Sequence, residues 1–365
     1  MSDLPHMTRA LALAERGRGR TSPNPMVGAV VVDDEGVIVG RGAHEFAGGP
    51  HAEIHALADA GPRARGATLY CTLEPCSHTG RTGPCAPRVV EAGIKRVVIC
   101  TEDPNARVAG RGIEHLRTHG LDVSVGLLAA EAEDLNRPFF TRMRLGRPMV
   151  VLKAALSLDA RVAASPGVRT ALTGPAANRC IHRERAEVDA IGIGSGTVIV
   201  DDPMLTARGA YRYRPITRVV FDRRLRTPLS ARLFSTLSAG PVIIMTTAST
   251  RTSAAPHAHA LEAKGVTVEY LSASGSRDFL DAAVRRLGER EYNSLLIEGG
   301  PTLHAAFWNA GLVDRLELFV TPHVFGPEGP AWDAAPLGAI ANLEKRSAVP
   351  LGDDVVIQGY VHRPD

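Results

Sequence analysis

Hydrophobic and polar positions along the first half of the chain predict strands and helices in alternation. Short β-branched runs bounded by Gly, Pro or Asp are typical of buried strands, and apolar residues spaced three or four apart are typical of helices. Strands are predicted at 28–32, 36–40, 68–72, 96–100 and 123–125, and helices at 6–16, 51–60, 86–92 and 113–118. The first two strands, joined by Asp33-Asp34-Glu35, predict a hairpin. The later alternation indicates an α/β sandwich with a mainly parallel sheet.

The pattern begins afresh after a basic stretch at 141–148 that ends in Gly146-Arg147-Pro148. We therefore predict two domains, residues 1–146 and 147–365. In the second, strands are predicted at 149–154, 190–193, 218–222, 241–245, 266–268 and 294–298, with helices at 175–187, 278–288 and 302–309. Segments 315–320 and 355–360 predict closing antiparallel strands. The second domain is thus expected to be an independent α/β unit with its own sheet.

Composition narrows the functional classes. The chain has 365 residues, 44% of them hydrophobic and 22% charged, with a net charge of +3 and 5% aromatic residues. This balance argues against a nucleic-acid partner, and the sequence contains neither a long apolar span nor a signal-peptide pattern. Five cysteines, an odd number, are typical of a reduced protein with metal-bound thiols. We expect a cytoplasmic protein with no nucleic-acid or membrane partner.

One stretch carries a candidate metal site. It contains His51-Ala52-Glu53, then Pro75-Cys76, and finally Cys85. One imidazole and two thiols are three protein ligands, which leave the fourth tetrahedral position of a zinc ion for water, as in catalytic sites. Glu53 stands two residues after His51, where its carboxylate can move protons to and from that water.

Other interpretations of these residues stay open from the sequence. Cys76 and Cys85 can belong to a structural zinc knuckle, although eight residues separate them and structural sites usually have two to four between paired ligands. His55 follows His51 by about one helical turn and is an alternative ligand. Cys71 and Cys100 lie within predicted strands and are expected to be buried small hydrophobes.

The motifs resemble a known family. The pattern H-x-E followed by P-C is the signature of zinc-dependent deaminases acting on amino-pyrimidines and amino-purines. The eight-residue gap between the cysteines is similar to that of the bifunctional deaminase–reductases of riboflavin biosynthesis. The resemblance covers essentially the whole chain and extends to segments 22–29, 102–105, 108–112, 153–159, 182–186, 196–198 and 201–208.

The resemblance implies a cytidine-deaminase-like α/β/α sandwich followed by an α/β domain similar to dihydrofolate reductase. It implies zinc-dependent deamination of 2,5-diamino-6-(5-phosphoribosylamino)pyrimidin-4-one. An NADPH-dependent reduction of the ribosyl group of the resulting uracil to ribityl would follow. The implied cofactors are one Zn²⁺ per chain and NADPH, the implied partners are phosphorylated pyrimidine substrates, and we expect a homo-oligomer.

By motif match, Asn24 and His44 would hold the pyrimidine and Arg81 would lie near its phosphate. The reductase substrate would meet Lys153, Arg185, Leu205, Arg208 and Glu298, with the two arginines on the phosphate. The cofactor would meet Ala155, Ala171, Thr197, Asp201, Arg223, Gly300, Pro301, Thr302 and Leu303. Independently of the resemblance, the turn at 298–303 follows a strand and opens a helix, so its backbone amides suit a pyrophosphate.

Two positions depart from the family pattern. Ala171 stands where relatives commonly carry tryptophan, which removes an aromatic surface near the expected cofactor. Arg223 stands where serine is often found, and its guanidinium would favour the 2′-phosphate of NADPH. One alternative is therefore a zinc deaminase whose second domain only binds substrate or RNA. A second alternative is a zinc-stabilised binding protein without catalysis.

Overall fold

The first half of the chain folds around a five-stranded mixed sheet. The computed structural model describes residues 2–77, 83–106 and 108–361, and it divides into two units, Met1–Arg144 and Leu145–Asp365. The strands of the first unit are β1 (Gly28–Val32), β2 (Ile38–Ala43), β3 (Thr68–Cys71), β4 (Arg96–Ile99) and β5 (Asp122–Val125). Its helices are α1 (Leu4–Ala14), α2 (Ala52–Ala60), α3 (Cys85–Glu91), α4 (Arg111–Thr118), α5 (Ala129–Leu135) and α6 (Arg137–Leu145).

The strand order is β2-β1-β3-β4-β5. The predicted hairpin is present: β1 pairs antiparallel with β2 and with β3, whereas β3, β4 and β5 run parallel. The second strand of the hairpin begins at Ile38 rather than Gly36, because the turn extends to Val37, whose amide donates to the Asp33 carboxylate at 2.8 Å. Helices α5 and α6 were not predicted.

Two glycines of β2 fix where α2 lies. A Cβ atom at Gly42 would come within 1.9 Å of the carbonyl oxygen of Ala52, and one at Gly40 within 2.2 Å of that of Ala56. The helix backbone therefore rests directly on the strand, with no side chain between them. This contact sets the position of the first turn of α2, beside His51.

The second unit is built on a nine-stranded sheet. Its strands are β6 (Met149–Ser157), β7 (Ala190–Gly194), β8 (Thr217–Phe221), β9 (Val242–Thr247), β10 (Thr267–Leu271), β11 (Ser294–Ile297), β12 (Arg315–Thr321), β13 (Glu344–Leu351) and β14 (Asp354–Tyr360). Its helices are α7 (Pro175–Glu187), α8 (Ser195–Asp201), α9 (Thr250–Ser253), α10 (Ala255–Glu262), α11 (Ser276–Glu289), α12 (Pro301–Asn309) and α13 (Leu337–Ala341).

The order is β10-β9-β8-β7-β11-β6-β12-β14-β13. All neighbours from β10 to β12 pair parallel, and the last two pairings are antiparallel. The sheet is covered on both faces, as parallel sheets usually are: Val150 and Leu152 of β6 enter one core cluster, and Met149 and Val151 enter the other. The α/β class predicted for both halves is confirmed.

Candidate metal centre and nucleotide cleft

The three predicted metal ligands come from three places where an element begins or has just ended. His51 immediately precedes α2, Cys85 is the first residue of α3, and Cys76 lies in the loop after β3. The backbone N–H of Cys85 donates to Cys76 Sγ at 3.4 Å, and Ala86 N–H donates to the Cys76 carbonyl at 3.0 Å. The start of α3 thus holds the Cys76 loop against it.

The ligand atoms converge. His51 Nδ1 lies 3.2 Å from Cys85 Sγ and 3.5 Å from Cys76 Sγ, and all three ligand atoms lie within 4.8 Å of one another. Ligands that surround a zinc ion at about 2.0–2.3 Å are separated by comparable distances. The alternative ligand His55 is not part of this group, and Cys71 and Cys100 are buried as expected.

The electrostatics of the group suit a cation. A hydrogen bond between the side chains of Cys76 and Cys85 lowers the pKa of Cys76 to about 4. A hydrogen bond between the side chains of His51 and Cys76 raises the pKa of His51. Glu53 is 3% exposed, and its Oε2 has no hydrogen-bond partner among the described residues. Burial raises the pKa of Glu53. Two thiols, an imidazole and an orphaned buried carboxylate oxygen are the donor set that a zinc ion with a bound water needs, so the residues fit the metal.

The structure also brings together two residues predicted to hold the pyrimidine. Asn24 Nδ2 lies 3.1 Å from His44 Nε2, and the two rings of His44 and His51 are 5.3 Å apart. His44 Nδ1 donates to the Pro50 carbonyl at 3.0 Å, which leaves Nε2 to accept from the Asn24 amide. Burial lowers the pKa of His44, which keeps the ring neutral in this role. Arg81 lies outside the described residues.

Glu74 is a supporting residue for which the sequence predicted no role. Its two carboxylate oxygens accept from the backbone N–H groups of Asp103, Gly110, Gly112 and Ile113, at 2.8–3.2 Å. Those amides belong to the segment before α4 and to its first turn. Glu74 therefore fastens the 102–112 segment to the loop that carries Cys76. The position of Glu74 directly before Pro75-Cys76 did not reveal this role, because its partners are backbone groups.

The second unit contains a cleft of about 1500 Å³. It opens where β7, β8 and β11 end, the edge at which open α/β sheets bind ligands. Every residue predicted for the reductase substrate and cofactor lines it: Lys153, Ala155, Ala171, Arg185, Thr197, Asp201, Leu205, Arg208, Arg223, Glu298, Gly300, Pro301, Thr302 and Leu303. The two departures from the family pattern, Ala171 and Arg223, thus both lie in the cleft wall.

A buried ion pair organises the cleft floor. Arg185 of α7 donates to both carboxylate oxygens of Glu298, from Nε at 2.7 Å and from Nη2 at 2.5 Å, and its Nη1 donates to the Thr206 carbonyl at 3.2 Å. Burial by itself raises the pKa of Glu298, but the Arg185 guanidinium outweighs it and lowers the pKa to about 2. Burial lowers the pKa of Lys153, against the attraction of Glu298.

This geometry refines the expectation that Arg185 and Arg208 meet a phosphate together. The planar fork of Arg185 is occupied by Glu298, so only its remaining N–H groups can reach a ligand. Arg208 contacts His182, which lies one turn before Arg185 on α7: its backbone N–H donates to His182 Nδ1 at 3.2 Å, and its Nη2 lies 3.5 Å from His182 Nε2. A phosphate role for Arg208 and Arg185 stays a prediction.

Sequence reasoning missed Arg212, which holds α7 in place. Its Nη1 donates to the carbonyls of Arg185 and Ala186 at 2.6 and 2.9 Å, and its Nη2 donates to that of Val188 at 2.9 Å. These carbonyls lie at the end of α7, where helix acceptors lack internal partners. An arginine in a loop 25 residues away gave no pattern that could have shown this.

Comparison with known proteins agrees with these two sites. Residues 148–357 match the family model of the RibD C-terminal domain, and residues 1–101 match that of the cytidine and deoxycytidylate deaminase zinc-binding region. The riboflavin biosynthesis protein RibD of Aquifex aeolicus is 41% identical over 358 residues, which cover 97% of this chain and 97% of the relative. The chain belongs to the RibD family.

Other RibD proteins agree. That of Escherichia coli is 42% identical over 352 residues, 96% of this chain and 94% of its own. The structure of Acinetobacter baumannii RibD superposes with a TM-score of 0.85 at 35% identity and covers 98% of both chains. A Thermotoga maritima structure, described as a diaminohydroxyphosphoribosylaminopyrimidine deaminase/5-amino-6-(5-phosphoribosylamino)uracil reductase, superposes with a TM-score of 0.82 at 33% identity, over 98% of this chain and 97% of its own.

Membership of the RibD family confirms the resemblance read from the motifs. The chain is an enzyme of riboflavin biosynthesis that combines a zinc-binding deaminase region with a reductase domain. None of the described helices combines the length and the apolar character needed to cross a bilayer.

Proposed function

We propose that residues 1–146 remove ammonia hydrolytically from C2 of 2,5-diamino-6-(5-phosphoribosylamino)pyrimidin-4-one. Residues 147–365 then reduce the ribosyl group of the resulting 5-amino-6-(5-phosphoribosylamino)uracil to ribityl with NADPH. The observation that carries the first step is the convergence of His51, Cys76 and Cys85 beside the buried carboxylate of Glu53. The second step is supported by the cleft at the ends of β7, β8 and β11.

In the deaminase site, His51, Cys76 and Cys85 would hold the zinc ion. The metal supplies Lewis-acid activation of the water that attacks the amino-bearing ring carbon. Glu53 takes one proton from that water and gives it to the ring nitrogen. It then takes the second proton, from the hydroxyl now bound to the ring carbon, and gives it to the amine, which leaves as ammonia while the carbonyl forms. Its burial suits this work, because burial raises the pKa of the Glu53 carboxyl and so makes the carboxylate a stronger base towards the water proton.

The substrate is oriented by neutral groups. The Asn24 amide offers a donor and an acceptor to the pyrimidine edge, and its hydrogen bond to His44 fixes which way the amide faces. Because His44 is itself anchored on the Pro50 carbonyl, the pair forms a short chain of hydrogen bonds from the backbone to the ring. Arg81 would meet the phosphate.

In the reductase site, NADPH supplies the hydride and the protein supplies orientation and charge. Lys153 and Glu298 line the sugar pocket with Leu205, and Arg208 with Arg185 meets the phosphate. The backbone amides at the start of α12, from Gly300 to Leu303, suit the pyrophosphate of the cofactor. The remaining cofactor contacts are assigned to Ala155, Ala171, Thr197, Asp201 and Arg223.

The zinc-loaded full chain tests both steps. Given the diaminopyrimidine phosphate, it should release one ammonia per substrate and only then oxidise NADPH. Glu53→Gln should abolish ammonia release while retaining zinc, and should still oxidise NADPH when the uracil intermediate is supplied. A chain that releases ammonia but never oxidises NADPH would instead support a second domain that only binds. A chain that does neither would refute the proposal. The cytoplasmic location and homo-oligomeric state stay predictions.

A further inference from the structure

His304 is a buried imidazole in the cleft that no motif pointed to. It lies in the first turn of α12, is 2% exposed, and lines the cleft of the second unit. Lys153 and Glu298, the two residues assigned above to the sugar pocket, line the same cleft, and besides burial their charges shift the pKa of the His304 ring. His304 therefore belongs to the sugar end of the cleft.

Trp332 fixes the tautomer of this imidazole. The indole Nε1–H donates to His304 Nδ1 at 3.0 Å. Because an indole nitrogen only donates, Nδ1 must be unprotonated, and the neutral ring carries its hydrogen on Nε2. Burial lowers the pKa of His304 to about 3, so the ring is neutral at working pH. Trp332 is itself held in the core, where its backbone N–H donates to the Ala160 carbonyl at 2.9 Å.

The other ring nitrogen, Nε2, carries a hydrogen for which the described part of the chain offers no acceptor. His304 Nε2 is buried and has no hydrogen-bond partner among the residues that the structure describes. Buried polar groups are nearly always paired, and leaving an N–H without an acceptor is costly. A donor whose tautomer is fixed, and which lines a ligand cleft, is therefore arranged for an acceptor that the ligand brings.

We propose that the Nε2–H of His304 donates a hydrogen bond to an oxygen of the ribosyl chain of the pyrimidine substrate, and that Trp332 is the positioning residue that keeps this hydrogen on Nε2. The inference rests on the proposed reductase function. The sugar is favoured over the cofactor because the ring shares its surroundings with Lys153 and Glu298. The neighbouring residues 300–303 are instead assigned to the cofactor through their backbone amides.

Two substitutions of His304 separate its two nitrogens. Asparagine places an acceptor near the Nδ1 position for Trp332 but nothing at Nε2, whereas glutamine places an N–H near the Nε2 position. In the zinc-loaded full chain, His304→Asn should lower kcat/KM for the uracil intermediate roughly 10- to 100-fold. The dissociation constant of NADPH should stay within about twofold. His304→Gln should recover part of the loss. A thermal unfolding transition of the second unit at the same temperature as in the unaltered chain reports that the reductase domain is folded.

Trp332→Phe tests the positioning role without touching the imidazole. It should lower kcat/KM for the intermediate by roughly tenfold, because the ring no longer has a fixed tautomer. Trp308→Phe is the matched control. Trp308 lies on α12, the helix that carries His304, and packs against the same core cluster as Trp332, but it does not line the cleft. Its kinetics should equal those of the unaltered chain. If the second unit of His304→Asn fails to fold, seen as the loss of its thermal unfolding transition, Trp332→Phe decides.

The outcomes are distinguishable. If the unaltered chain does not oxidise NADPH with the intermediate, the proposed function fails and this inference fails with it. If the unaltered chain is active and His304→Asn has the same kcat/KM, the inference alone is overturned. A loss that appears equally in NADPH affinity also overturns it, because the donor would then serve the cofactor.

Discussion

Replacing Gly42 by alanine tests whether the contact between α2 and β2 positions the deaminase chemistry. The added Cβ would lie 1.9 Å from the Ala52 carbonyl oxygen and 2.6 Å from the Ala56 nitrogen. Carbon and oxygen atoms do not approach within about 3 Å, so the first turn of α2 has to move by at least about 1 Å. That turn carries Glu53 and directly follows His51.

A displacement of this size costs about 100-fold in rate when it affects catalytic groups, and overpacking costs about 1–3 kcal/mol of stability. We therefore expect Gly42→Ala to lower kcat for ammonia release at least about 100-fold, while NADPH oxidation with supplied intermediate is unchanged. Gly275→Ala is the control, because a Cβ there meets no heavy atom within 4 Å and the backbone is extended. A soluble Gly42→Ala chain that releases ammonia at the original rate would refute the reasoning.

Three further predictions follow from the two sites. Removing zinc with a chelator should abolish ammonia release and lower the melting temperature of the first unit, while NADPH oxidation with supplied intermediate persists; restoring zinc should restore both. Glu298→Gln should cost about 3–5 kcal/mol at neutral pH, because it leaves Arg185 buried without its partner. The pKa of Glu298 falls from its usual 4.5 to about 2 on folding. The stability from the ion pair is therefore present above about pH 4.5 and is lost as pH falls towards 2. The difference between the two chains in denaturant unfolding should shrink over that range, and a constant difference would contradict the assignment. Arg223→Ser should raise KM for NADPH about tenfold or more and leave KM for NADH unchanged, and equal changes for both cofactors would exclude a 2′-phosphate contact.

The parts of the fold that the sequence predicted are those with a strong hydrophobic signal. The central parallel strands of the second unit are buried and largely apolar, as in Val242–Thr247, whose first four residues are apolar and buried. Strand β13 was missed because it is mostly exposed, begins with the charged residues Glu344-Lys345-Arg346, and contains Pro350. Helix α6 was missed because the basic stretch at 141–148, which ends in Gly146-Arg147-Pro148, indicated a boundary, whereas α6 continues into that stretch as far as Leu145.

The candidate sites divide in the same way. The metal ligands were predictable because a zinc ion demands particular residue types at close spacing, and the structure brings His51, Cys76 and Cys85 together. The hydrogen bonds that support the sites were not predictable. Trp332 meets His304 across 28 residues of sequence, and Glu74 binds backbone amides that any residue would supply. These residues become hydrogen-bond partners only when the chain is folded, and the sequence around each of them does not indicate which partner it has.

The division between the two units has a consequence for the cell. It falls at Arg144 and Leu145, in the last turn of α6, and only three residues separate that helix from β6. Both catalytic centres are therefore always synthesised in equal numbers, whatever the level of expression. The steady-state amount of the aminouracil between the two reactions then depends on the rate constants of the two centres and on the supply of NADPH. Mutations that slow the reductase alone should raise the amount of that intermediate, and higher expression of the chain would add both centres together and leave their ratio unchanged.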